Sequence, residues 1–374
     1  MSQLGVLVLV STTTGRYGLG GAAAGVLAIA NAIGSPLAGA LADRIGQRPV
    51  VLVQSLIGAA GLAGIVIVTD PDASTALIFT MAAITGFAMP QVGPLARVRW
   101  RPITADEGDQ RRLVDAAFSY EGAADEASFV LGPATIGVLA LIAEPAGALL
   151  AAAVLLAVFG SWFAIHPTST LVDRKADHGE GGSGALWTIV FVVLVLAQFC
   201  IGIIFGSVQT GSTVLATAEG QAGLAGLIHA TLGIGSVIAG LAITALPERI
   251  LYATRMLVAA LALLVLSAPL LLVDSIGSLI GVIALLGFAV APYMISNFAL
   301  AGILVPLHRV GTAMTLLAGA TGVGYAIGAS IAGRLADDHS HTAAFAVTVS
   351  AAGLAVLLAV TANRALRNAI PVNV

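Results

Sequence analysis

Apolar runs broken by short polar stretches fill the chain from one end to the other. A helix needs about 20 apolar residues to cross a hydrocarbon layer about 30 Å thick. Eleven runs reach that length, at about 18–42, 49–69, 75–96, 114–143, 146–166, 186–209, 221–245, 253–273, 276–304, 309–335 and 342–362. A twelfth, 1–14, would rise only about 20 Å. It reads as the outer part of a first helix whose beginning lies upstream, or as a short re-entrant or interfacial segment. The pattern predicts an all-α membrane protein. One hydrophilic stretch, HPTSTLVDRKADHGEGGSG after Ile165, divides the runs and reads as a linker over 167–185.

Composition agrees with a lipid-covered surface. Charged residues make up 9% of the chain and apolar residues 58%, where soluble domains carry about 25% charged residues. The net charge of -3 gives no footing for a nucleic-acid partner. A single cysteine, Cys200, excludes an intrachain disulfide. The start, MSQLGVLVLV, lacks the basic region of a signal peptide.

Charge also sets the orientation. Basic residues favour the cytoplasmic side. If the loop after the second segment is cytoplasmic, 14 of the 16 Lys and Arg fall inside, and only Arg16 and Arg334 fall outside. Both termini of a chain with a complete first helix would then be cytoplasmic. The outer loops carry Asp70, Asp72, Glu144, Glu219 and Asp274.

The sequence repeats. Ile33-Gly34-Ser35 with Ala38-Gly39 returns as Ile234-Gly235-Ser236 with Ala239-Gly240, an offset of 201. Gly86-Phe87-Ala88 and Gly287-Phe288-Ala289 share that offset, as do Gly25 and Gly226. This predicts duplicated halves, 1–166 and 186–374. A second likeness, IGSPLAGALAD (33–43) with IGASIAGRLAD (327–337) and LGPATIGVLA (131–140), joins segments that run in opposite directions, which inverted three-helix repeats would produce.

The loop Gly39-Ala-Leu-Ala-Asp43-Arg44-Ile-Gly46-Gln-Arg48 resembles the signature loop of the major facilitator superfamily. It departs at Gln47, where a basic residue is common, and at Pro49. The resemblance extends over the chain. It implies 12 transmembrane helices, the first incomplete here, in two pseudo-symmetric six-helix halves built from inverted repeats. Further implications are secondary active transport by alternating access, no cofactor, and a monomer in a bacterial cytoplasmic membrane. Gly39, Asp43, Arg44, Gly46 and Arg48 would form a conformational latch. Asp43 lies at a helix C-terminus, where a carboxylate is unfavourable unless it meets a cation or another helix's N-terminus. The opening LVLVSTTTGRYGLGGAAAG resembles the end of a first helix and the start of a second in bacterial members, which carry further residues before that point.

Other residues could carry coupling or recognition. Asp125 and Glu126 are adjacent carboxylates within an apolar run, and intramembrane ionisable groups are costly and tend to be functional. One could exchange the coupling proton, or they could pair with Arg97, Arg99 or Arg101. Gly132, Pro133 and Gly137 are similar to a motif of drug-proton antiporters without its closing glycine pair, and equally fit close helix packing. Segments that line the cavity in the family carry Gln91, Gln198, Gln209, Tyr293 and Asn297, each a candidate for solute contact or for an interhelical hydrogen bond. Asn31 and His229 read as interhelical hydrogen-bonding groups. Pro90, Pro94 and Pro292 would bend segments 4 and 10. No nucleotide-binding loop or catalytic constellation is visible. The expected function is proton-coupled transport of a small organic solute, efflux favoured over uptake. The alternative is a non-transporting scaffold or sensor on the same fold.

Overall fold

A computed structural model of the chain describes residues 2–70, 72, 74–176, 186–221, 224–243, 246–247 and 250–369. Its helices are α1 (Ser2–Thr14), α2 (Tyr17–Ile45), α3 (Gln47–Val68), α4 (Thr75–Phe87), α5 (Val92–Ile103), α6 (Gln110–Leu155), α7 (Ser161–Ile165), α8 (Ser169–Ala176), α9 (Ile189–Ala218), α10 (Ala225–Ala242), α11 (Tyr252–Ser267), α12 (Ile276–Leu304), α13 (Val310–Asp338) and α14 (His341–Ala369). Helices are what an apolar solvent demands, because each satisfies its backbone polar groups internally. Among the described residues nine spans are long and apolar enough to cross a membrane, with shorter apolar helices at Ser2–Thr14 and Ala230–Ala242.

The runs and the helices differ in several places. Segment 4 is two helices, interrupted at residues 88–91, and extends to Ile103. Arg97, Arg99 and Arg101 therefore stand on helix rather than in a loop. Segments 5 and 6 follow each other without a loop. They meet at a kink at Ala143 (φ -130°) and Glu144 (φ 57°, ψ 166°), a positive φ that is unusual for a residue with a side chain. The last helix continues to Ala369, past the apolar run, on polar residues that need no lipid.

The described chain forms two compact units. The first holds residues 1–103, 131–182 and 308–319; the second holds 104–130, 183–307 and 320–374. In the first, Val6, Leu27, Leu62, Ile78, Ile136 and Leu149 belong to one buried cluster. Lipid gives helices little hydrophobic reason to associate, so small residues that permit close approach matter more. The duplicated glycines supply that approach. A Cβ on Gly34 would press on the backbone of Phe87, and one on Gly86 would overlap the carbonyl of Leu27. In the second unit Gly235 meets the carbonyl of Ala284 and Gly287 that of Leu232. The repeated residues thus make equivalent α2–α4 and α10–α12 contacts. Large aliphatic side chains point outward instead. Ile29, Ile33, Leu37 and Leu41 form an exposed ridge at four-residue spacing, and Ile234 and Ile238 repeat part of it. Such a surface suits lipid.

Candidate functional site

The turn between α2 and α3 is a single residue. Gly46 takes φ 89°, ψ 156°, a left-handed conformation open to glycine, and so lets α3 begin directly after α2. One turn before it, Asp43 reaches the start of α13 within the first unit. Its Oδ1 accepts from the Gly311 N–H (2.9 Å), and its Oδ2 accepts from the Thr312 N–H (2.7 Å) and the Thr312 hydroxyl (2.6 Å). The first N–H groups of a helix have no intrahelical acceptor and carry partial positive charge, so a carboxylate there is doubly favoured. Gly311 must be glycine for the same contact, because a Cβ would fall on the Asp43 carboxylate. Gly39, one turn earlier on α2, packs directly on Thr315, whose hydroxyl occupies the place a side chain would need.

The basic residues of the loop behave differently. Arg44 and Arg48 are exposed, whereas Gln47 is buried. Gln47 Oε1 accepts from Arg99 Nε (2.8 Å), and its Nε2 donates to the Leu95 carbonyl (3.3 Å). Arg99 also donates to the Phe163 carbonyl (2.9 Å) and the Thr168 hydroxyl (3.1 Å), with its guanidinium 3.6 Å from the Phe163 ring centre. A basic residue at position 47 would bury a second cation against the first. The departure from the family pattern at Gln47 has this physical reason.

A second cluster, not singled out by sequence reasoning, lies in the second unit. Asp115 on α6 is buried and forms an ion pair with Arg255 on α11 (3.0 Å). It also accepts a short hydrogen bond from the Tyr252 hydroxyl. Arg255 further donates to the Ile250 carbonyl (3.0 Å) and the Pro247 carbonyl (3.4 Å), tying the segment before α11 to the same carboxylate. Arg111 stacks 5.2 Å from the Tyr252 ring centre. The available signal was an acidic residue four places after Arg111 and a Tyr-x-x-Arg opening α11. Their proximity across 140 residues leaves no trace in the sequence.

The remaining candidates are dispersed. Asp125 is half-buried on α6, and Glu121, one turn before it, is buried. Gly132 is buried in the same helix. The surroundings of Glu126, Pro133, Gly137 and His229 lie outside what is described. Asn297 donates to Gln198 Oε1 (2.7 Å) and the Leu194 carbonyl (3.0 Å), and the Tyr293 hydroxyl donates to the Ala197 carbonyl (3.2 Å). Gln198, Tyr293 and Asn297 are all enclosed between α9 and α12, and Gln198 Nε2 and Asn297 Oδ1 have no partner among the described residues. Gln209 is exposed on α9 and accepts from the Tyr325 hydroxyl (2.6 Å). Gln91 donates to Asn31 Oδ1 (2.9 Å) in the first unit. No cluster of three or more metal-ligating side chains occurs among the described residues.

Comparison with known proteins adds two findings. The family model described as Major Facilitator Superfamily matches residues 2–278 and 194–370. Among solved structures, the chain resembles the crystal structure of the human organic anion transporter MFSD10 (TETRAN) with a TM-score of 0.71. The two are 19% identical, and the match covers 96% of this chain and 89% of the other. At that identity the likeness concerns the fold. No curated protein sequence matches the chain.

Proposed function

This chain belongs to the major facilitator superfamily of membrane transporters, and we propose that it exports a small organic solute across a bacterial cytoplasmic membrane by proton-coupled alternating access. It works as a monomer, with two six-helix halves (1–166 and 186–374) joined by a cytoplasmic linker over 167–185. The observation that carries this reading is the seat of Asp43 on the first turn of α13. A carboxylate at a helix N-terminus stabilises by up to about 2 kcal/mol in partly buried geometry. That is enough to bias a two-state equilibrium more than tenfold and little enough to be given up in each cycle. Asp43, Gly39 and Gly46 hold and shape the latch, while Arg44 and Arg48 face the aqueous side. The Asp115–Arg255–Tyr252 cluster fastens α6 to α11 and acts as its counterpart. Asp125 and Glu126 exchange the coupling proton; Gln91, Gln198, Gln209, Tyr293 and Asn297 lie on the helices that rearrange around the solute.

Opening of the latch is read at Thr315, which is fully buried beneath Gly39. In a Cys200→Ser background, Thr315→Cys is titrated with a maleimide in inside-out vesicles. Asp43→Asn is expected to raise the labelling rate about tenfold, the equivalent of about 1.4 kcal/mol. An unchanged rate rejects the latch. Coupling is read in the same vesicles with a pH-sensitive dye. Solute-dependent collapse of an imposed proton gradient is expected in the wild type and absent in the Asp125→Asn/Glu126→Gln double variant. If both single variants retain full coupling, the proton site lies elsewhere.

A further inference from the structure

Two apolar helices hold a proline without interruption: Pro36 inside α2 and Pro292 inside α12. The segment over 75–103 instead stops at Phe87 and restarts at Val92. Position 292 is the 201-residue counterpart of position 91, so the repeat does not dictate the break. Pro90 alone does not explain it either, since prolines are tolerated elsewhere. Side-chain amides hold it open. Gln54 Nε2 (3.5 Å) and Gln91 Nε2 (3.3 Å) both donate to the Met89 carbonyl.

The break lies near the middle of its apolar span, the part expected at mid-membrane depth. Asn31 is the midpoint of α2 (Tyr17–Ile45), and Gln91 is two residues past the midpoint of the span Thr75–Ile103. Asn31 Oδ1 is saturated by Gln91 Nε2 (2.9 Å) and the Ser35 hydroxyl (3.2 Å). The Asn31 amide N–H groups and Gln91 Oε1 have no partner among the described residues, and both side chains are half-exposed. Gln54 is only 8% exposed, bonds into the break, and leaves its Oε1 without a partner among the described residues. The first N–H groups of α5, on Val92 and Gly93, have no acceptor in their own helix. Unsatisfied amide groups in apolar surroundings are costly. Interrupted helices at the midplane are where transporters place polar solutes.

We propose that this break is a solute subsite for a net-neutral molecule presenting both a hydrogen-bond donor and an acceptor, either a polyol or a zwitterion. Asn31 and the start of α5 take the acceptor; Gln91 and Gln54 take the donor. None of Asn31, Ser35, Gln54 and Gln91 carries a charge, so a solute of net charge finds no counter-ion among them. The inference rests on the transport reading and narrows it to a solute class.

The test uses the full chain in proteoliposomes, again in the Cys200→Ser background. Gln91→Cys and Ile33→Cys are treated with a hydrophilic, charged methanethiosulfonate. Position 33 is exposed on the aliphatic ridge of α2 and serves as the lipid-facing control. Position 91 is expected to react at least tenfold faster. Sorbitol and L-alanine, tried separately, distinguish the two solute sources, and at least one should slow modification at 91 several-fold without affecting 33. Propionate and propylammonium at equal concentration should not. Protection should vanish in Asn31→Leu and, as a milder second change, in Asn31→Ser. Equal reactivity at 91 and 33, protection by an ion alone, or protection by none of the four overturns the proposal. The labelling rate at Thr315→Cys is independent of this result. If the latch responds to Asp43→Asn while 91 stays unprotected, transport stands and the solute binds elsewhere.

Discussion

Gly39 lacks a side chain because the Thr315 hydroxyl stands where one would be. Gly39→Ala should therefore destabilise the detergent-solubilised chain by about 1–3 kcal/mol, the usual cost of overpacking. Adding Thr315→Ala, which deletes the obstructing hydroxyl, should recover most of the loss in the same thermal unfolding assay. A failure of the second change to compensate would mean that the backbone of Gly311, the next nearest atom, is the true obstacle. The ion pair in the second unit makes the opposite kind of site. Removing one partner of a buried pair leaves a charge without solvation, at about 3–5 kcal/mol. Arg255→Ala should show that loss, whereas Arg255→Met with Asp115→Leu should be far milder. The loop signature made Gly39, Asp43 and Gly46 legible in the sequence. Their partners Gly311, Thr312 and Thr315 were not, nor was the Asp115 cluster. A carboxylate at a helix end has the same local sequence whether it meets water or another helix 268 residues away.

At the scale of elements, the 201-residue repeat was legible because close helix packing restricts a position to glycine. Both copies kept that restriction. Gly86→Ala and Gly287→Ala should each cost about 1–3 kcal/mol and by similar amounts, since each new methyl meets a backbone carbonyl that cannot rotate away. Gly21→Ala and Gly281→Ala face open space on their helices and should be neutral or stabilising by up to about 1 kcal/mol. If all four behave alike in thermal unfolding, the glycines report helix propensity and the packing account is wrong. Gly25, which also fits the repeat, has nothing near its Cβ position, so its recurrence has no packing explanation. Pro90 and Pro94 pointed to a bend in segment 4, but its full interruption and the direct turn at Ala143–Glu144 were not legible. Hydropathy averages over a window, and a few residues of altered backbone inside an apolar run leave that average unchanged.

At the scale of the molecule, charge asymmetry predicts which side each helix end faces. The basic residues gather at one set of ends, and both the Asp43 and the Asp115 clusters belong to those ends by position in the chain. Basic residues resist translocation and remain on the cytoplasmic side. Asp72 and Asp106 are exposed residues in opposite sets of loops. In a Cys200→Ser background, which removes the sole, buried thiol, Asp72→Cys should react with an impermeant maleimide on intact cells while Asp106→Cys stays silent. In inverted vesicles the pattern should reverse. This orientation would give the proposed latch its direction. With Asp106 inside, the proposed latch at Asp43 would close the cytoplasmic entrance. With Asp106 labelled from outside, the same contact would close the outer entrance. Asp43→Asn would then favour outward opening, the reverse of what the Thr315→Cys experiment expects. The two labelling experiments therefore constrain each other, and agreement between them would tie a single half-buried carboxylate to the direction of the transport cycle.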